Sequence, residues 1–146
     1  MTVTTSLPSV TDAVIGWLRT DWRLEELLGG SGRRIGDRLP VAETRSFIAV
    51  TRAGGGPALS RAWVRDTRLT FDVFGPSSEK TGRETAETVA ERARTVVEDL
   101  TGRVAGGIVF AAVDVLADLL YLPDPTFPAP RARYVFQARA VCHPSP

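Results

Sequence analysis

The 146-residue sequence predicts an α+β domain, with a mostly antiparallel four-stranded sheet, two helices packed on one face, and the order α-β-β-α-β-β. Three observations lead there. Apolar residues recur at helical spacing in two stretches, residues 10–28 and 79–100. Other runs alternate apolar and polar residues, most clearly Arg68 to Phe74 and Arg133 to Phe136. Clusters of glycine and proline separate these runs. One domain spanning 1–146 suits this length, with flexible ends expected at 1–8 and 143–146.

The first helix is expected from Val10 to Leu28. Ser9 and Asp12 read as a capping box, and Val14, Trp17, Leu18, Leu24, Leu27 and Leu28 form its apolar face before Gly29-Gly30 stops it. Residues 29–45 read as a loop anchored by Ile35 and Leu39. Ser46 to Arg52 is β-branched enough for a strand, and Ala53 to Ser60 is a glycine-rich connector. A second strand follows from Ala62 to Phe74, with a bulge expected at Asp66-Thr67, so the two make a long hairpin. The turn Gly75 to Ser78 leads to a helix over 79–100. Its stripe is Ala86, Val89, Ala90, Ala93, Val96, Val97 and Leu100, with Glu84, Glu87, Glu91, Arg94 and Glu98 turned away from it. Val104 to Leu122 is continuously apolar, so its period is ambiguous. Its first half favours a strand, and its Ala- and Leu-rich second half leaves a helix open. Pro123 to Pro130 is a proline-stiffened loop, and Arg131 to Val141 is the closing strand.

Composition narrows the function classes. Lys+Arg 18 against Asp+Glu 17 gives a formal charge of +1, unlike the basic excess of a dedicated nucleic-acid module. Every basic residue except Lys80 is arginine. A single cysteine, Cys142, excludes an intramolecular disulfide framework and fits a reducing compartment. The start MTVTTSLPSV lacks the pattern of a signal peptide, and Gly106 to Leu122 is too short and too charged to span a bilayer. A soluble intracellular product is expected.

The joint between the second strand and the second helix spells Ser77-x-x-Lys80 and Lys80-Thr81-Gly82. In penicillin-binding enzymes such motifs lie on separate elements and converge in space; sharing one lysine, they cannot surround a substrate. Helix capping by Ser77 or Ser78, and by Thr81 with Glu84, is the favoured reading. Cys142 and His143 are strand neighbours on opposite faces, and His143 is the only histidine, so neither a nucleophile-base pair nor a zinc site forms from them. None of the glycine-rich loops has phosphate-loop or dinucleotide spacing. Asp114, Asp118 and Asp124 alone are a weak signal for Mg²⁺. No catalytic residue, metal or cofactor is therefore assigned. Trp17 belongs to the core stripe; Trp22 falls nearly opposite it, and Trp63 sits among arginines, a combination enriched at protein interfaces.

In order along the chain come Leu27 to Gly30, Arg34-Ile35, Leu39-Pro40, a strand into a Gly-rich turn (Phe47 to Gly56), Arg68 to Gly75, an Ala-rich helix, Leu122 to Pro125, and Arg133 to Phe136. Across roughly residues 9–142 this order resembles the tail terminator and tail-completion proteins of long-tailed, siphovirus-like bacteriophages, especially those of actinobacterial hosts. The resemblance implies a structural virion protein without catalysis, assembled in the host cytoplasm and resident at the tail-neck junction. It implies a ring of copies of the chain, hexameric in such proteins, that sits on the tail tube protein, stops tube growth and meets the head-tail connector. Genomic DNA would cross its lumen without sequence-specific binding, and no membrane is involved. Candidate contacts are Arg33, Arg34, Arg38 and Arg45 in the first long loop, Arg61 and Trp63 after the second, Phe127 in the proline loop, and Trp22. Another neck component, such as a head-completion or head-tail joining protein, is the nearest alternative. From a different class, a small cytosolic enzyme or ligand-binding domain remains open.

Overall fold

The computed structural model describes residues 9–30, 34–55, 64–77, 81–125 and 131–145. The expected α+β class holds, but the inventory is larger: three helices and seven strands among the described residues rather than two and four. In chain order they are α1 (Val10–Arg19), α2 (Trp22–Leu27), β1 (Ile35–Gly36), β2 (Phe47–Gly55), β3 (Arg65–Phe74), α3 (Gly82–Glu98), β4 (Arg103–Ala105), β5 (Ile108–Val115), β6 (Leu120–Tyr121) and β7 (Arg133–Pro144).

The single first helix expected from Val10 to Leu28 is two. Ser9 caps α1, its Oγ accepting from the Asp12 N–H at 3.2 Å, and α1 stops at Thr20, whose hydroxyl turns back to the Trp17 carbonyl. Asp21 then starts α2 by accepting from the Leu24 N–H at 2.9 Å. A carboxylate that caps a new helix cannot also sit inside an old one, because the capping residue is extended. The break puts Leu24 and Leu28 in the core but leaves Leu27 39% exposed, against expectation.

The sheet runs β1-β2-β3-β7-β5-β4, and β6 pairs with β7 beyond the end of β5. All pairings are antiparallel except β1 with β2. The long hairpin of β2 and β3 is present, and its bulge falls opposite Thr67 to Leu69, on β2 between Arg52 and Gly55, while β3 keeps regular register with β7. The ambiguous segment is strand throughout its paired parts. Gly106 and Gly107, both at positive φ (58° and 76°), form the two-residue turn that joins β4 to β5, which Ala105 and Ile108 close as partners. A helix there is ruled out by the pairing of Leu120 and Tyr121 with Val135 and Tyr134. The closing strand is longer than expected: His143 and Pro144 continue β7, and the Ser145 N–H donates to the Gly107 carbonyl at 2.8 Å, so the end expected to be loose from 143 is paired. Β-ladder partners on β5 hold it there.

One face of the sheet is dry. Ile48, Val50, Leu69, Phe71, Val73, Phe110, Phe136, Ala138 and Ala140 meet the helices in a single core. The predicted α3 stripe is buried in full, from Ala86 to Leu100. Each buried valine or leucine contributes on the order of 1.5–3 kcal/mol. Phe71 and its cross-strand partner Phe136 stack with centroids 4.6 Å apart, adding about 1 kcal/mol. Trp17 lies against this core and donates from Nε1 to the Val96 carbonyl at 2.8 Å. Ile35 belongs to the main core, and Leu39 covers a second cluster of Phe47, Ala49 and Phe74 on the opposite face, so both expected loop anchors are anchors. Elsewhere that face is polar: Asp66 holds Arg139 by two hydrogen bonds (2.8 and 2.6 Å), Gln137 donates to Thr70, and Arg133 lies 3.6 Å from Asp72. The outer edge of β5 is closed at Val113 by the Thr101 hydroxyl, which donates to the Val113 carbonyl (3.0 Å) and accepts from its N–H (3.1 Å).

Candidate functional site

At the joint that carries the enzyme-like spelling, Gly75 and Gly82 are buried against each other, while Ser77 and Thr81 are exposed. Gly75 ends β3, and a side chain there would collide with the Gly82 carbonyl at the start of α3. The Ser77 N–H donates to the Thr44 carbonyl at 2.9 Å. Ser78, Glu79 and Lys80 lie outside the described residues. The capping box expected from Thr81 and Glu84 is not formed: Thr81 is the N-cap, but at φ −98° and ψ 17° its side chain makes no capping hydrogen bond. The helix begins at Gly82 rather than Glu79, fixed by the close approach of Gly82 to Gly75 and Pro76.

What holds the joint is Arg131, expected only as the start of the closing strand. It is 1% exposed. Its Nε donates to the Gly75 carbonyl (2.8 Å), Nη1 to the Glu43 carbonyl (2.6 Å) and Nη2 to the Arg45 carbonyl. One planar fork thus ties the end of β3 to the loop before β2. Burial pushes its guanidinium below the ordinary arginine value, with Glu43 and Asp124 opposing. Only an arginine lying between prolines and an alternating strand marks it in the sequence, and that pattern does not distinguish a buried residue from a solvated one.

Other titratable groups are equally committed. Asp21 accepts two hydrogen bonds from Arg92 (2.9 and 2.6 Å), which, with the Leu24 N–H, hold its carboxyl below the usual range against the opposing effect of burial. Of the three residues weighed for Mg²⁺, the Asp118 carboxylate pairs with Arg94 at 3.0 Å, Asp114 stands across the ladder from Arg139, and the Asp124 backbone bridges to that of Arg131. Among the described residues no group of three or more His, Cys, Asp or Glu is placed to hold a metal. Cys142 is fully buried, which raises its thiol pKa, and the His143 ring lies against its neighbour's carbonyl oxygen.

The candidate contact residues separate. Trp22 is 66% exposed, with the Arg23 guanidinium 5.5 Å from its ring centre. Arg38 stands out into solvent, only 3.8 Å from Asp37, and Arg45 is exposed but bonded to Glu43 at 2.9 Å, which lowers the Glu43 pKa. Arg34 turns inward, its Nη1 donating to the Leu28 carbonyl at the end of α2. Arg33, Arg61, Trp63 and Phe127 lie outside the described residues. Exposed apolar side chains join the first three: Val41 on the loop before β2, and Leu116, Leu120 and Leu122 along β6 and its approach.

Two open grooves lie on the helical side. One of about 360 Å³ is lined by Leu27 of α2 and by Thr81, Glu84, Thr85, Thr88 and Val89 of α3. The other, about 350 Å³, lies between Asp12, Ile15, Gly16 and Arg19 of α1 and Gly36 and Asp37. Neither lining includes a cysteine or a histidine. No helix among the described residues is long and apolar enough to cross a membrane.

The chain belongs to the family of tail completion protein gp17, whose model matches residues 12–141. It is accordingly a structural component of a phage-like virion, and the family is not one of enzymes. No curated protein matches the chain. Among solved structures, a chain of the virion of native gene transfer agent (GTA) particle is similar in fold, with a TM-score of 0.66 at 16% identity over 91% of this chain and 95% of that one.

Proposed function

We propose that the protein is a tail terminator: a ring of copies, six in number, that caps the tail tube, stops its growth and joins it to the head-tail connector. The observation that carries this reading is family membership over residues 12–141, nearly all of the described chain. The exposed residues suit the role. Trp22 offers a large rigid contact, Arg38 and Arg45 offer forks for partner carboxylates, and Val41, Leu120 and Leu122 offer apolar area. Copies that meet through two different patches close into a ring when the rotation allows. A net charge of +1 suits a lumen that DNA crosses without being held.

The test is assembly on tail tubes. Purified protein mixed with tubes is expected to give ring-bearing tube ends by negative stain and to halt further elongation. Binding to connector with no binding to tubes would move the assignment to another neck component. A protein that stays monomeric and leaves tube length unchanged would remove the proposal.

A further inference from the structure

Between β1 and β2 the chain makes a turn whose residues are the wrong kind for a turn. The Glu43 N–H donates to the Pro40 carbonyl at 3.1 Å, which closes a β-turn with Val41 and Ala42 at its two central positions. Such positions favour Gly, Pro, Asn, Asp and Ser, which either suit the bend or bond to it. Here they hold a β-branched residue and an alanine, both exposed, with Val41 entirely in solvent. A lone exposed valine is ordinary. This one stands on a turn that is held from both sides.

Before the turn, Leu39 packs against the cluster of Phe47, Ala49 and Phe74. After it, three successive carbonyls are each taken by a donor from a distant part of the chain. Arg131 holds those of Glu43 and Arg45, and the Ser77 N–H holds that of Thr44. The Glu43 carboxylate also turns back, accepting from the Arg45 N–H (3.0 Å) and Nε (2.9 Å). Pro40, Val41 and Ala42 are thus presented as a small apolar knob in a set shape. A knob already in shape forgoes most of the ordering cost that a loose loop meets on binding. Val41 adds nothing to the core, and departures from local turn chemistry are expected where a surface is in use.

Charge and shape narrow the partner. The charges of residues 37–45 come in opposite pairs, Asp37 beside Arg38 at 3.8 Å and Glu43 beside Arg45 at 2.9 Å. The knob therefore stands on a base without net charge, which gives it no hold on nucleic acid. It fits an apolar hollow on a protein. The chain's own two open grooves are poor hollows for it: one is lined by three threonines and Glu84 beside Leu27 and Val89, the other by Asp12, Arg19 and Asp37 beside Ile15 and two glycines.

We propose that the Pro40-Val41-Ala42 knob seats in an apolar hollow of the tail tube protein at the end of the tube. A cap that halts growth must outcompete the next tube ring for that end, and a preformed knob suits such competition because little ordering accompanies its binding. The inference rests on the capping reading and assigns the surface that makes the contact.

Capping of tail tubes tests it. Val41 lies outside the core, so its variants are expected to unfold as wild type does. Val41→Asp is expected to lower the number of capped tube ends roughly tenfold or more, the scale of a lost apolar anchor. Val41→Ile keeps the tip apolar and is expected to cap as wild type does. A second measurement separates the partners: Val41→Asp protein is expected to bind the connector, and to associate with its own copies, as wild type does. Normal capping by Val41→Asp, an equal loss in Val41→Ile, or a loss of connector binding or self-association instead would overturn the inference and leave the capping reading standing. Wild-type protein that does not cap tubes would overturn both.

Discussion

The two ends of β3 use the same residue type in opposite ways. At the Phe74 end two arginines are internal fasteners: Arg131 gathers the Gly75, Glu43 and Arg45 carbonyls, and Arg34 reaches back to the Leu28 carbonyl. At the Arg65 end, Arg52, Arg65 and Arg68 are in no ion pair among the described residues. A guanidinium that serves buried carbonyls is part of the fold, because removing it strands acceptors that water cannot reach. One that stands in solvent adds almost nothing to stability and is free for a partner. An arginine-rich composition therefore says little about function until each residue is placed.

The largest effect is expected at Arg131. Arg131→Met keeps the bulk but leaves the Gly75, Glu43 and Arg45 carbonyls without their donor, and urea unfolding should show a loss of about 3 kcal/mol or more. A loss under about 1 kcal/mol would erase the distinction between the two ends. Next is Gly75→Ala, which forces the joint apart at the Gly82 carbonyl and should cost about 2 kcal/mol in the same assay. Asp21→Asn keeps a capping oxygen for α2 but loses the charge that holds Arg92, for about 1 kcal/mol at neutral pH. The Asp21 carboxyl is held below its ordinary value, chiefly by Arg92, so its contribution is full above the unfolded value near 4 and fades as pH falls through the folded one. Wild type should accordingly lose more stability than Asp21→Asn on acidification below about pH 4, and parallel pH curves would show the pair to be inert. Smallest of all, Arg52→Ala and Arg68→Ala should change the unfolding free energy by no more than about 0.5 kcal/mol, marking that end as free.

Much of the framework was readable in advance because it rests on period. The α3 stripe from Ala86 to Leu100 and the alternation of β3 and β7 each report a face buried against the same core. The break at Thr20-Asp21 was hidden because Leu24 and Leu28 keep the helical spacing across it, and only Asp21 signals a new start. The β4-β5 turn did carry a signal: two adjacent glycines before Ile108 are a strong mark of a two-residue hairpin turn. Short strands such as β1 and β6 have too few residues to show any period and exist through their neighbours. The candidate surface was half legible. Trp22 stood out because it faces away from its helix's stripe, whereas the fates of Arg34 and Arg131 depend on carbonyls brought near by distant parts of the chain.

The Thr101 hydroxyl occupies both hydrogen-bonding groups of Val113 on the rim of the sheet. A foreign strand arriving there finds its docking row already taken for one full residue, so the rim is corked just past the three-residue β4. That small stopper denies the rim the indiscriminate strand-on-strand zippering that an open sheet edge invites.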